Sequence, residues 1–180
     1  SNLTLLIPAK FESESLPIFL DELKDYNYKK LVVLDQSDTK TIDSIRNFNN
    51  VEILHQKKTG YGNALIEGIN YITTDLFCII NADGSMNPSE LRGMLNEIDD
   101  NNRDIVFGSR YMQNAGSDDD DLVTSIGNFI FTSIGKVFFR LEISDILYTY
   151  LIGKTKFVQD LKLQSGDFKF CIELPIKAKR

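Results

Sequence analysis

Short apolar runs, each followed at once by a polar turn, recur along the first 110 residues. They occupy residues 3–7, 31–34, 51–54, 76–80 and 105–107, and are rich in Val, Ile, Leu and Phe. A run of this length without polar alternation is the pattern of a strand buried on both faces. Between the runs, at residues 16–23, 41–48, 64–72 and 91–98, apolar residues return at helical spacing, as in Leu91, Met94, Leu95 and Ile98. Pro88 followed by Glu90 suits a helix start. Strand and helix in alternation predict an open, mostly parallel α/β sheet flanked by helices. Such sheets bind ligands beyond the carboxyl ends of their strands. The residues that matter are therefore those just after each run.

Those turns are Pro8-Ala9-Lys10, Asp35-Gln36-Ser37-Asp38, His55-Gln56-Lys57-Lys58, Asn81-Ala82-Asp83-Gly84-Ser85 and Gly108-Ser109-Arg110-Tyr111. Turns are polar in most proteins, but here acids, lysines and an arginine follow all five runs. A carboxylate on a tight turn, such as Asp83, is a good ligand for Mg²⁺, which takes few protein carboxylates and completes its shell with water and phosphate. An Asx-turn or a helix cap is the structural alternative for the same residue. Asp35 can accept a hydrogen bond from a base N–H, or it can cap the helix predicted from Thr41. Gly60-Tyr61-Gly62 and Lys58 stand before a predicted helix, where glycine allows close approach and the helix end favours anions. Arg110 offers a planar fork for phosphate, or a surface ion pair. Neither a P-loop nor a dinucleotide glycine fingerprint is present.

Composition removes other classes. Two cysteines make no disulfide framework, and a single histidine makes no imidazole metal cage. The net charge of −6 comes entirely from residues 1–110, which hold 11 basic and 17 acidic residues. Nucleic acid is therefore not an expected partner. Residues 111–180 hold nine of each, but four of the acids are the block Asp118, Asp119, Asp120 and Asp121. A helix is predicted over residues 126–141, with two readings: a core helix, or a surface helix touching lipid, with Lys136 and Arg140 facing an anionic surface. No apolar run reaches the roughly 18 residues of a membrane span, and no signal peptide is visible. The expected location is cytoplasmic, with peripheral contact at the inner face of a membrane.

Taken in order, the turns resemble those of family 2 glycosyltransferases, which have the GT-A fold. "TLLIPAKFESESL" resembles the opening "IPAxNEExxL", and "VVLDQSDTKT" resembles "VDDGSTDGT". "KTGYGNALIEGI" resembles "GKGAALxxGI", "CIINADGSMNP" resembles "DADxxxxP", and "DIVFGSRY" resembles "DxVxGSRY". "GSRY" and the "AxxxGI" spacing of "ALIEGI" resemble the polyprenyl-phosphate branch, which includes dolichol-phosphate mannose synthase. The resemblance implies a metal-dependent, inverting transfer of sugar from a UDP- or GDP-sugar to a polyprenyl phosphate or to a saccharide hydroxyl. It implies that Pro8, Ala9, Glu12 and Asp35 line the nucleoside pocket and that Asp83, with Asn81, holds Mg²⁺ or Mn²⁺. It also implies that Lys58, Gly62 and Arg110 face the donor phosphates, and that Asp145 is the acid that would serve a hydroxyl acceptor as base. A lipid phosphate is already anionic and needs no base.

The sequence departs from that pattern at Phe11 in place of Asn, Gln36 in place of the second Asp of "VDD", and Asn81 in place of the first Asp of "DAD". Asp145-Ile146-Leu147-Tyr148-Thr149-Tyr150 lacks the Gly-Phe-Arg triplet that the family often shows. A non-catalytic nucleotide-sugar-binding domain is thus one alternative. A nucleotidyltransferase is another, poorly matched because Lys10 alone follows the first strand. One catalytic domain is expected over residues 1–180, with a nucleotide-sugar half at 1–110 and an acceptor-side half at 111–180. The chain is expected to continue past Arg180, because "ELPIKAKR" reads as a helix cut short.

Overall fold

The computed structural model describes residues 2–108 and 148–179. Arg110, Asp145, the Asp118–Asp121 block and the helix predicted over 126–141 lie outside the described residues. The apolar runs form β1 (Leu3–Pro8), β2 (Lys29–Leu34), β3 (Val51–His55), β4 (Leu76–Ile79) and β5 (Ile105–Phe107). The periodic stretches between them form α1 (Ser15–Glu22), α2 (Thr39–Ile45), α3 (Tyr61–Tyr71) and α4 (Leu91–Asp100), the last entered through a short 3₁₀ turn at Pro88–Glu90. Asn87 caps that turn, its side chain accepting from the Ser89 N–H at 2.9 Å.

Three elements follow residue 147: β6 (Leu151–Lys154), α5 (Thr155–Asp160) and α6 (Phe170–Ala178). The helix expected at "ELPIKAKR" is observed within α6. The strand β6 is a correction, because strand–helix alternation is expected only over the first 110 residues. Leu-Ile-Gly-Lys is short, contains a glycine and carries no period of its own. Its pairing partners, from Leu76 to Ile79, lie more than 70 residues away. Only the tertiary fold makes it a strand.

The six strands run in the order β3-β2-β1-β4-β6-β5. Neighbours among β1 to β4 are parallel, and β6 is antiparallel to both β4 and β5. The order reverses between β1 and β4, so a crevice opens there at the carboxyl ends. Alternate side chains of β1 enter opposite cores. Leu3, Leu5 and Ile7 join α1, α2 and α4 on one face, and Leu6 joins α3, α5 and α6 on the other. A methyl at Gly68 would come within 2.3 Å of Leu6 Cδ1, so α3 lies as close to β1 as glycine permits.

The segment between α5 and α6 is tied down by one carboxylate. Glu173 accepts from the backbone N–H of Gln164 at 3.0 Å and of Ser165 at 2.7 Å, and pairs with Lys177 at 2.7 Å. Burial pushes this carboxyl up, but Lys177 and the two N–H groups outweigh it and hold it at about 2. The folded chain therefore holds this proton less tightly than the unfolded chain does. The stabilisation is complete above the ordinary value of 4.5 and is lost as pH falls from there toward about 2. Denaturant midpoints measured between neutral pH and pH ~2 should fall through this window, and should fall less in Glu173→Gln.

Candidate functional site

The crevice between β1 and β4 is flanked by two turns of the same construction. Asp35 Oδ1 accepts from the Ser37 N–H at 2.8 Å and the Ser37 hydroxyl at 2.7 Å. Asp83 Oδ1 accepts from the Ser85 N–H at 3.0 Å and the Ser85 hydroxyl at 2.7 Å. In each Asp-x-Ser turn one carboxylate oxygen shapes the loop. The other, Oδ2, makes no hydrogen bond among the described residues. The structural and functional readings of these acids are thus compatible, because different oxygens serve them. The Ser37 hydroxyl and N–H, helped by Lys10 and opposed by burial, hold the Asp35 carboxyl below its usual range. It is an acceptor only at neutral pH. The helix cap expected of Asp35 falls instead to Asp38, whose Oδ1 accepts from the Thr41 N–H at 3.3 Å.

Asp38 is buried and has a second bond. Its Oδ2 accepts from the Phe11 N–H at 2.7 Å, while the buried Thr41 hydroxyl accepts from the Glu12 N–H at 3.0 Å. The loop after β1 is thereby fixed to the start of α2. Ala9 is buried and donates to the Val33 carbonyl at 3.0 Å, extending the β1–β2 pairing by one bond. Pro8 is half-buried beside it. Glu12 turns its carboxylate onto the Ser15 hydroxyl at the start of α1. Sequence reasoning noted Phe11 only as a departure from the family. Its ring is 76% exposed, 5.6 Å from the Lys10 ammonium, and its φ is +59°. That backbone conformation is an outlier for a bulky residue.

Asn81 opens the second turn. Its backbone N–H points at Met86 Sδ at 3.2 Å, and its amide oxygen accepts from the Tyr61 hydroxyl at 3.2 Å. The rest of the turn is braced by the residues leading into β6. Tyr148 donates to the Ser85 carbonyl at 3.3 Å, and Tyr150 donates to the Asn87 carbonyl at 2.8 Å. Between them, the Thr149 hydroxyl lies 2.6 Å from that of Tyr61. In the segment that lacks the Gly-Phe-Arg triplet, the Tyr148 and Tyr150 hydroxyls thus reach the loop after β4 directly, and the Thr149 hydroxyl reaches it through Tyr61. The sequence held no local signal for this, because the contacts span more than 60 residues.

The turn after β3 is arranged differently from expectation. Lys57 and Lys58 are exposed, and their backbone N–H groups donate to Glu67 at 2.7 and 2.9 Å. Gly62 is buried, and a methyl there would stand 2.2 Å from the Ser165 carbonyl oxygen. Asn63, one residue on, donates its N–H to the Gly166 carbonyl at 3.0 Å. The close approach permitted by these glycines is taken by the chain's own 165–167 backbone, so Gly62 does not present an open helix end to phosphate.

A Mg²⁺ or Mn²⁺ ion fits the second turn in a limited way. Asp83 is exposed with Oδ2 unengaged, and the Asn81 oxygen has one lone pair beyond the bond from Tyr61. Among the described residues no three His, Cys, Asp or Glu side chains gather to hold a metal unaided. That is the donor set of a cation completed by substrate phosphate and water. A surface cleft of about 950 Å³ lies at the other end of the sheet, lined by Asn2, Asp75, Asn102, Lys154 and Gln159 among others. It contains none of these residues, so concavity alone does not mark the site.

Known proteins are similar to this chain in sequence and in fold. An uncharacterized glycosyltransferase of Mycobacterium tuberculosis (strain H37Rv) is 32% identical over 107 residues, covering 59% of this chain and 48% of its own. A dolichol-phosphate mannosyltransferase of Pyrococcus furiosus is 24% identical over 98% of this chain and 53% of its own. This chain thus spans about half the length of the curated relatives it matches. Glucosyl-3-phosphoglycerate synthase from M. tuberculosis, solved with Mn²⁺, UDP-glucose and phosphoglyceric acid, superposes with a TM-score of 0.67 at 12% identity, over 98% of this chain and 67% of that one. The architecture expected from the sequence, the GT-A fold, is the one observed. No helix among the described residues is long and apolar enough to cross a membrane. The profile of glycosyl transferase family 2 matches residues 4–162, and the chain belongs to that family.

Proposed function

We propose that this chain carries the donor site of a metal-dependent, inverting glycosyltransferase. The donor is a UDP- or GDP-sugar, and the acceptor is a polyprenyl phosphate of the dolichol kind. The observation that carries this reading is the pair of Asp-x-Ser turns on either side of the β1/β4 crevice, each with one carboxylate oxygen unengaged. The relatives support it: one is named for transfer to dolichol phosphate, and a GT-A neighbour was solved with Mn²⁺ and UDP-glucose.

In this reading Asp35 accepts from a base N–H, with Pro8, Ala9 and Glu12 shaping the same pocket. Asp83 and the Asn81 amide oxygen would hold Mg²⁺ or Mn²⁺, which when bound neutralises charge on the donor diphosphate. Lys58 and Arg110 add positive charge near the phosphates. The acceptor oxygen forms its bond to the anomeric carbon as the bond to the diphosphate breaks, and the electron pair leaves with the nucleoside diphosphate. A phosphate acceptor brings its own negative charge. For a saccharide hydroxyl, Asp145 is assigned the proton. The second reading, a domain that binds nucleotide sugars without transfer, rests on the amide at position 81.

Calorimetry with UDP and GDP in Mn²⁺ tests the donor site. One of the two should bind, and Asp83→Asn should weaken that binding about tenfold or more, with the effect confined to metal-containing buffer. No binding of either nucleotide in Mn²⁺ would refute the proposal. Release of nucleoside diphosphate from a bound sugar donor, in the presence of a polyprenyl phosphate, separates transfer from binding alone.

Phe11 provides an independent check on the nucleoside pocket. Lys10, which acts on the Asp35 carboxylate, also lies 5.6 Å from the Phe11 ring, and in this reading that exposed ring stacks on the base. Phe11→Asn relieves the left-handed strain and should raise the unfolding free energy by ~1 kcal/mol. The same substitution should weaken nucleoside diphosphate binding about two- to tenfold, measured by calorimetry on the same samples. Stability and affinity moving together in the same direction would contradict this account.

A further inference from the structure

Tyr61 is the first residue of α3, yet its hydroxyl reaches the turn after β4. It lies 3.2 Å from Asn81 Oδ1 and 2.6 Å from Thr149 Oγ1. A phenol has a single proton, and an amide oxygen can only accept. Both bonds form together when Tyr61 donates to Asn81 and Thr149 donates to Tyr61.

The ring is held as firmly as the hydroxyl. Phe168 stacks on it with ring centroids 5.3 Å apart and planes at 19°. Phe168 is 71% exposed, so core burial does not account for its place. The segment carrying it is seated by the Asn63 bond to Gly166 and by the Glu173 bonds to Gln164 and Ser165. A methyl at Gly60 would come within 2.3 Å of the Gly166 carbonyl oxygen, which shows how closely the two turns fit. The C-terminal segment and the entry to β6 thus converge on one phenol, and that phenol touches the candidate metal turn.

The substitution at position 81 gives this convergence a purpose. An aspartate there presents two equivalent oxygens. An asparagine has one, and a half-turn of its amide replaces that oxygen by an NH₂ group, which cannot ligate a cation. We propose that Tyr61 is a positioning residue that fixes the amide of Asn81, holding its oxygen available for a divalent cation bound with the donor diphosphate. This rests on the donor-site reading above. Tyr61 itself touches neither cation nor substrate in this scheme.

The test is a double-mutant cycle read by calorimetry of Mn²⁺ binding in saturating UDP or GDP, whichever the wild type binds. Tyr61→Phe keeps the ring on Phe168 and removes only the hydroxyl. In the Asn81 background it should weaken Mn²⁺ binding about three- to tenfold, the worth of one hydrogen bond. In an Asn81→Asp background, where either oxygen serves, the same change should cost less than about twofold. Thr149→Val, which removes the donor behind Tyr61, should follow the same pattern and serves if Tyr61→Phe folds poorly. Equal losses in both backgrounds, or no loss in either, would overturn the positioning role while leaving the donor site standing. Absence of nucleotide binding by the wild type would instead remove the donor-site reading, and this inference with it.

Discussion

The site depends on one strand running the wrong way. β6 enters the sheet between β4 and β5 antiparallel to both, pairing Leu151 with Ile79 and Lys154 with Leu76. A parallel strand in that slot would send its leading residues to the far end of the sheet. An antiparallel strand begins where β4 ends. Tyr148, Thr149 and Tyr150 therefore arrive beside the turn of Asn81 and Asp83, and their hydroxyls supply what that loop lacks. Ala82 and Met86 anchor this turn in the core, while Asp83 between them stays exposed. Neutral hydroxyls on the loop's carbonyls and on the Asn81 amide hold its polar part, which leaves the carboxylate in solvent reach.

The same economy of atoms runs through the first half of the chain. Asp35 and Asp83 each use Oδ1 to close a local turn on a serine two residues on. Asp38, by contrast, spends both oxygens on backbone N–H groups and is buried. Three aspartates in similar strand-end positions thus separate by exposure and by the oxygens left over. The excess of acids over bases in residues 1–110 is partly this arrangement. It is suited to a site that meets an anionic ligand only with a cation or with basic side chains alongside.

Much of this was legible in the sequence, for a physical reason. Strands buried on both faces must be continuously apolar, so β1, β2 and β4 announced themselves; the edge strands β3 and β5 are only partly buried, with Glu52 exposed in β3, and were legible as short apolar runs rather than as doubly buried ones. The turns after them followed from the way parallel sheets expose their carboxyl ends. What escaped was set by contacts between distant segments. β6 is four residues, including Gly153 and Lys154, and is a strand only because β4 and β5 lie on either side of it. The glycines at the start of α3, Gly60 and Gly62, spoke for close approach by something. That the occupant is the chain's own Ser165-Gly166-Asp167 backbone could not be read from spacing, because a phosphate and a peptide make the same demand for room. Phe11 looked like a lost asparagine until its φ of +59° placed a bulky ring in a conformation that asparagine tolerates better.

The central claim is that a divalent cation and a nucleoside diphosphate meet at the turn after β4. Paramagnetic broadening by Mn²⁺ in nuclear magnetic resonance spectra maps such a meeting directly. With UDP or GDP present, the resonances of Asn81 to Ser85, Tyr61 and Tyr148 to Tyr150 should broaden first, at Mn²⁺ levels that leave them sharp without the nucleotide. Broadening centred on the cleft of Asp75 and Asn102, or a pattern indifferent to the nucleotide, would contradict it.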